Sequence, residues 1–593
     1  MTEAKPQPDV IHLENPGAIT ARDDLDAKSE LDERMPEAKG RNIDAMPKGY
    51  FYSPLFIGSF CAIGFGFMSA TGGYALVAPL LGEINADIGP SPNLTWVALA
   101  YLLCSAIVFL LVGRLSDIFG RRWFFIVGSV IGLIGSILGA TAQSIDQLIG
   151  AEVFIGIAAG FQVSFFWVVG EIVPMKYRYL ANSAAYAFTI PTNPLAAKIG
   201  LTFQTQTSVK WRGCFYFMIG VNVISIFCWY FFYHPPTFKM LHRRTAAKQL
   251  LRDFDWIGLT LYTGSTFIFL MGLTWGGSLY PWKSAQVLGV LVGGVVGFAV
   301  FIIWEIYLPI GSEPFLPLHL FQNLRYMACA WLTAVGAATY FGFSLIWPSA
   351  VAVLYTDLSD SHKATLSGLA AMGFVFGQIA GGFVGTLTGP RPGIIACMTI
   401  AAPVLMAAAA NPLNMNLTMG LVATGTLFIG MMEGMAIATT TFPLRTQEEI
   451  GTAGGLSGTI RSFGSVIAVA VLSATLKNRL ATTIPAIVVP AAENAGLPAA
   501  SIPALISGLG GLTALNSTTV PGLTADIMTT ALHAYKVANS QAYSTVFLVS
   551  FAFGGIGMII CWFVAQNDAS LDTFVAGYIH KTSEEKAVET DRV

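Results

Sequence analysis

The feature that most restricts how this chain can fold is a succession of long apolar stretches that carry almost no charge. At roughly 20 residues per crossing of a bilayer, fourteen such stretches can be placed, near 54–80, 94–112, 123–142, 147–170, 181–203, 214–233, 256–275, 285–308, 327–350, 364–388, 394–411, 417–441, 452–475 and 544–566. In lipid a backbone must satisfy its own hydrogen bonds, so stretches of this length are expected to be helices. The expected fold class is therefore an all-α membrane protein with 14 transmembrane helices. Composition agrees: 11% of the 593 residues are charged, against roughly 25% in soluble domains, and mean hydropathy is +0.63. A net charge of −2 gives no electrostatic basis for a nucleic-acid partner.

Lysine and arginine orient the spans. With the N-terminus inside, 23 of them fall in inside segments and 7 in outside loops, while Lys198 and Arg461 lie within spans. That bias places both termini in the cytoplasm. Residues 1–49 are polar, mixed in charge and proline-bearing, without the apolar core of a cleaved leader, and are expected to form a disordered cytoplasmic tail. The strongest inside basic segment, 234–255 with Lys239, Arg243, Arg244, Lys248 and Arg252, reads as a cytoplasmic linker that closes a six-helix bundle over 50–233. Spans seven and eight (256–308) then form an extra pair, and 327–566 a second six-helix bundle, followed by a cytoplasmic tail at 567–593. Val153-Phe-Ile-Gly-Ile-Ala-Ala-Gly160 and Leu427-Phe-Ile-Gly-Met-Met-Glu-Gly434 fall in the fourth span of each bundle, as a duplicated transporter fold predicts. Residues 477–543 make one long extracellular loop, apolar enough at Ile484–Pro490 and Leu505–Leu515 for interfacial helices, and Asn516 is its glycosylation candidate.

The motifs of several enzyme classes are absent from the sequence. It contains no G-x-x-x-x-G-K-[ST], no H-E-x-x-H and no G-x-S-x-G, and its seven cysteines form no C-x-x-C pair. Neither an enzyme nor a metal or cofactor site is expected, and a transport cycle would draw on an ion gradient. Attention then moves to ionisable groups inside spans, which are costly there and point to function. Four stand out: Glu152 in span four, Lys198 in span five, Glu433 in span twelve and Arg461 in span thirteen. A carboxyl in low dielectric can load and release a proton, so Glu152, Glu433 and Arg461 are the proton-coupling candidates. The structural alternative pairs each acid with a base, Glu152 with Lys198 on the next span, and has Arg461 bridge helices. Pro191 and Pro194 are expected to kink span five. Gln162, Trp167, Tyr186, Asn193, Pro194, Trp347 and Gln378 are the polar, aromatic or kink residues that would line a cavity for a mostly apolar ligand.

Between spans two and three lies Gly113-Arg-Leu-Ser-Asp-Ile-Phe-Gly-Arg-Arg122, a basic turn in which Gly113 and Gly120 permit tight geometry. Its pattern, G-x-L-x-D-x-x-G-R-R, resembles the signature loop of the major facilitator superfamily. Trp211-Arg-Gly-Cys-Phe-Tyr216, Phe254-Asp-Trp-Ile-Gly258, Glu313-Pro-Phe-Leu-Pro-Leu-His-Leu-Phe321 and the glycine-rich run from Glu449 to Gly464 extend the resemblance over residues 50–566. They resemble the fourteen-span drug:proton antiporters, and most of all the fungal trichothecene efflux pump family. That resemblance implies a monomeric plasma-membrane exporter of hydrophobic toxins, drugs or metabolites in exchange for protons, working by alternating access. It also implies a conformational gate at Gly113, Asp117, Gly120, Arg121 and Arg122. Two departures bear on direction: Glu152 stands where those antiporters usually place an arginine, and Asn193-Pro194 where they place Gly-Pro. A proton-coupled siderophore-iron importer and a non-transporting ligand sensor therefore stay open as alternatives.

Overall fold

The computed structural model describes residues 41–42, 49–91, 93–236, 252, 254–277, 279–307, 314–444, 449–511, 520–565, 574–575 and 579. Thirteen helices among them are long and apolar enough to cross a membrane. The difference from fourteen falls on span five. Residues 181–203 divide between two short helices, Arg178–Ala187 and Ala196–Gln206. Proline has no amide hydrogen for the helix ladder, and the Thr189 and Thr192 hydroxyls donate to the carbonyls of Tyr186 and Met68 across the break. Pro191 and Pro194 thus interrupt the span rather than bend it.

The first group of helices comprises α1 (Pro54–Ala75), α2 (Thr95–Phe119), α3 (Arg122–Ala140), α4 (Ile145–Gln162), the halves α5 (Arg178–Ala187) and α6 (Ala196–Gln206), and α7 (Arg212–Phe232). A pair follows, α8 (Trp256–Trp275) and α9 (Ala285–Ile306). The second group comprises α10 (Leu324–Leu354), α11 (Leu369–Thr388), α12 (Pro390–Ala407), α13 (Met415–Thr439), α14 (Ile450–Asn494) and, beyond the short α15 (Ile502–Gly511), α16 (Ala525–Ile560). Side-chain caps start many of them: Ser53, Ser144, Asp255, Ser284, Asn323, Asn414 and Thr524 each accept an amide of the first turn. α14 has no such cap of its own, which matters below.

Within the second group α11 and α13 touch backbone to backbone. A Cβ on Gly377, Gly381, Gly430 or Gly434 would run into the main chain of Leu427, Met431, Phe374 or Gln378, the small-residue packing that lets helices approach closely in lipid. The pair α8/α9 is held against α2 and α14. Tyr262 of α8 hydrogen-bonds Thr459 of α14 at 3.0 Å, Phe269 and Phe298 pack on Phe463, and one apolar cluster joins Tyr262 and Phe301 to Leu110 of α2 and Leu456 of α14. The pair therefore covers the seam where α2 meets α14.

Two sequence expectations change here. The loop expected at 477–543 is largely helical: α14 runs unbroken through Ile484–Pro490 to Asn494, and α16 begins at Ala525. At 45 residues α14 is about 67 Å long, twice the roughly 30 Å hydrocarbon core. Its far third packs Val488 and Ala492 against Leu505, Leu509, Ala531 and Ala534 in a separate apolar cluster. Leu505–Gly511 belongs to α15, while 512–519, with Asn516, lies outside the described residues. In the tail expected to be disordered, Arg41–Asn42 pairs antiparallel with Phe574–Val575 of the other tail. Ile579 is buried against the cluster that holds Tyr50 and Tyr233. Residues 1–40, and 237–251 of the basic linker, lie outside the described residues.

Candidate functional site

At the end of the molecule that carries the basic turn, α2 and α14 meet through glycine. A Cβ on Gly113 would strike the Gly451 carbonyl and come within 3.0 Å of Gly455 Cα. That contact brings Asp117 to the uncapped start of α14. Asp117 Oδ2 accepts from the Thr452 amide at 2.6 Å and the Thr452 hydroxyl at 2.8 Å, while Oδ1 accepts from Arg121 at 2.5 Å. The carboxylate of one helix group thus caps a helix of the other, where the macrodipole favours negative charge. Arg121, 6% exposed, also pairs with Glu171. Arg122 donates to the Tyr230 carbonyl at 2.7 Å, and Gly120 ends α2 at φ 90°. A second crossing lies alongside: Arg178 donates to the Thr441 hydroxyl at 3.0 Å, Tyr179 bonds Thr439 at 3.0 Å and Ser183 donates to the Ile379 carbonyl at 2.9 Å.

The opposite end is also closed. Lys198 donates to Ser361, a Cβ on Gly368 would lie 2.8 Å from the Pro194 carbonyl, and the rings of Tyr74 and Phe341 sit 5.8 Å apart. Between the two ends is a cavity of about 50 Å³, well below the roughly 300 Å³ at which drug-sized pockets begin. Phe67, Tyr101, Tyr186, Asn193, Gln378 and Arg461 are among its lining. Helices from both groups contribute, so the cavity lies between them.

Glu433 stands directly behind that lining, with no exposed side-chain surface. Its Oε1 accepts from Arg461 Nε at 2.8 Å and its Oε2 from Gln378 Nε2 at 2.9 Å. Gly336 leaves room for it, since a Cβ there would come within 2.7 Å of Glu433 Cβ. Two of the cavity's polar groups therefore face the cavity while holding one buried carboxylate. Asn193 Oδ1, from the break in span five, accepts from Tyr340 across the cavity at 2.5 Å.

Several candidates sit elsewhere. Gln162 donates to Ser129 at 2.5 Å and to the Phe125 carbonyl at 3.1 Å inside the first group, away from the cavity. Trp167 is buried against Gly454, Trp347 donates to the Leu366 carbonyl at 2.6 Å, and Pro194 meets Gly368 outside the lining. The expected Glu152–Lys198 pair does not form: Lys198 is engaged by Ser361, and neither Glu152 oxygen has a hydrogen-bond partner among the described residues. Sequence reasoning missed Glu171, Arg178, Tyr179 and Thr452. Arg178 was legible only as a loop charge, and nothing local marks Thr452 as the recipient of a distant cap.

Comparison with known proteins fits this geometry. The model of the fungal trichothecene efflux pump (TRI12) family matches residues 17–592. The chain belongs to this family. It is 26% identical over 567 residues to the trichothecene efflux pump TRI12 of Fusarium sporotrichioides, covering 94% of each chain. With the multidrug transporter protein MdtP of Bacillus subtilis it shares 25% identity over 450 residues, 75% of this chain and 79% of the other. The crystal structure of the human organic anion transporter MFSD10 (TETRAN) superposes with a TM-score of 0.51 at 11% identity, over 85% of this chain and all of the other, which speaks to fold alone. As a member of this family of major facilitator transporters, the chain is a multi-pass membrane efflux transporter and not an enzyme.

Proposed function

We propose that this protein exports hydrophobic small molecules of the toxin or secondary-metabolite class across the fungal plasma membrane in exchange for protons. In this reading the broken span counts as one crossing, which gives fourteen in a 6 + 2 + 6 arrangement, and the basic-turn end and both termini are cytoplasmic. The observation that carries the proposal is the Glu433–Arg461–Gln378 arrangement, in which the buried carboxylate is one side chain removed from the cavity between the helix groups.

The coupling follows from charge. While Glu433 is ionised it holds Arg461, and separating them would leave two uncompensated charges in low dielectric. A substrate hydroxyl that reaches the pair from the cavity can donate to the ionised Glu433, and a proton on Glu433 removes that acceptor and loosens its hold on Arg461. Substrate and proton then compete for one buried pair, so each leaves as the other arrives. The two closed ends supply the gates. Opening the cytoplasmic side strips the Asp117 cap from α14 and parts Arg178 from Thr441. Opening the outer side parts Lys198 from Ser361.

The test is made in sealed vesicles holding the purified protein, with an imposed pH gradient and a tritiated trichothecene as probe, alongside a labelled ferric siderophore. Toxin and proton fluxes in opposite directions, with the proton flux per toxin reduced or lost in Glu433→Gln, support the proposal. Siderophore and proton moving together would make the protein an importer.

A further inference from the structure

A second carboxyl is buried in the first helix group, and the exchange at Glu433 does not use it. Glu152 is 1% exposed, and both its oxygens lack a hydrogen-bond partner among the described residues. It lies one turn before Gly156 on the same face of α4. Gly156 packs on the backbone of Tyr101, where a Cβ would come within 2.8 Å of its Cα. Glu152 is thereby turned into the helix group, toward α2 and α1.

No charged residue meets it there. The helices packed on α4 are α1, α2 and α3. α1 has no charged residue, and those of α2 and α3 (Arg114, Asp117 and Arg122) cluster at the far, basic-turn end with Arg121. On α4 itself Asp146 lies at the surface beside Asn93. The titratable groups at this level are phenols and a thiol: Tyr74 and Tyr101, whose rings stack 5.4 Å apart, Tyr340 from the second helix group, and Cys104, which packs beside Gly156. Tyr101 donates its hydroxyl to the Ala70 carbonyl at 2.9 Å and lines the cavity. An ionised carboxyl in such a place would be an uncompensated charge, which a protein interior avoids by keeping the group neutral.

We propose that Glu152 is a second, independent proton-carrying site, loaded when the cleft opens at the outer end of α4, held neutral in the closed state and discharged when the cytoplasmic end opens. Discharge breaks the carboxyl O–H bond: the electron pair stays on the carboxylate, and the proton passes to water that has entered the cavity lined by Tyr101 from the cytoplasmic side. Reloading forms the O–H bond again with a proton from water at the outer opening, beside Tyr74, before that opening closes. The proton is the ligand that fits a carboxyl buried to 1% exposure with no hydrogen-bond partner among the described residues. The site deepens the proton-coupled reading above and rests on it. It adds one proton, and therefore one elementary charge, to each cycle.

Two arms separate this inference from the transport reading. Infrared spectra of the full-length protein in liposomes at neutral pH should show a protonated-carboxyl C=O stretch that shifts in deuterium oxide. Glu152→Gln should remove it and Glu433→Gln should leave it. This arm needs no transport, and identical spectra for wild type and Glu152→Gln would overturn the proposal. In the second arm a potassium diffusion potential of about 100 mV drives tritiated trichothecene. One charge fewer per cycle should lower the plateau gradient in Glu152→Gln by about 50-fold. Equal plateaus would overturn the second proton while leaving export intact, whereas no movement by the wild type would bring down the transport reading.

Discussion

The fourth helices of the two bundles each bury one glutamate, and they treat it in opposite ways. On α13, Glu433 is held by Arg461 and Gln378 and backs onto the cavity. On α4, Glu152 has no hydrogen-bond partner among the described residues and sits inside one bundle. Their shared Phe-Ile-Gly sets a common frame: Glu152 lies two residues before Phe154, and Glu433 five after Phe428. The seven positions between them amount to two turns of helix, about 10 Å of depth on nearly the same face. A duplicated helix can therefore carry a carboxyl at either of two levels. Which level lies against a moving partner decides whether the acid is paired.

The sharpest way to break this comparison is to remove the partner that only one acid has. Arg461→Met should lower stability by about 3–5 kcal/mol, because it strands a buried carboxylate, and adding Glu433→Gln should recover most of the loss in melting temperature. An Arg461→Met protein as stable as wild type would mean that the pair holds nothing. Asp117→Asn should weaken a charge-assisted cap by about 1.5–3 kcal/mol. It should raise hydrogen exchange at the first turn of α14 at least tenfold, with no effect on α4. The two helices should also differ in their glycines. Gly430→Ala on α13 drives a methyl into the Phe374 carbonyl and should cost about 1–3 kcal/mol. Gly150→Ala on α4 meets open space and should stabilise by up to about 1 kcal/mol. The smallest effect is expected at the acid with no partner among the described residues: Glu152→Met should leave the unfolding free energy within about 1 kcal/mol of wild type or above it, since it removes a polar group with no partner to strand. A loss as large as that of Arg461→Met would show that Glu152 is paired after all.

How far the sequence reaches depends on how local each cause is. Length and apolarity of the spans are properties of single stretches, so thirteen helices fall where hydropathy places them. Pro191 and Pro194 announced a disturbance in span five, but the full break also needs Thr189 and Thr192 to take up carbonyls, and one of those, on Met68, comes from another helix. The extension of α14 was hidden because Pro485 and Pro490 read as loop residues. Its apolar positions Val488 and Ala492 make sense only beside Ala531 and Ala534. At the site, rarity made Glu433 and Arg461 visible, and their pairing joins residues on two adjacent spans. Gln162 and Trp347 failed as cavity residues because a polar or aromatic side chain at mid-span has two faces to choose from. Only packing reveals that Ser129 and the Leu366 carbonyl claim them.

The central claim is that Glu433 exchanges its hold on Arg461 for a proton in step with substrate. The most direct measurement is proton flux in vesicles holding wild-type or Glu433→Gln protein, recorded as a trichothecene gradient is imposed without any pH gradient. The account predicts that toxin moving down its gradient drives protons the opposite way in the wild type, and that Glu433→Gln moves toxin with its proton flux reduced or lost. Equal proton flux per toxin in the two proteins would contradict it.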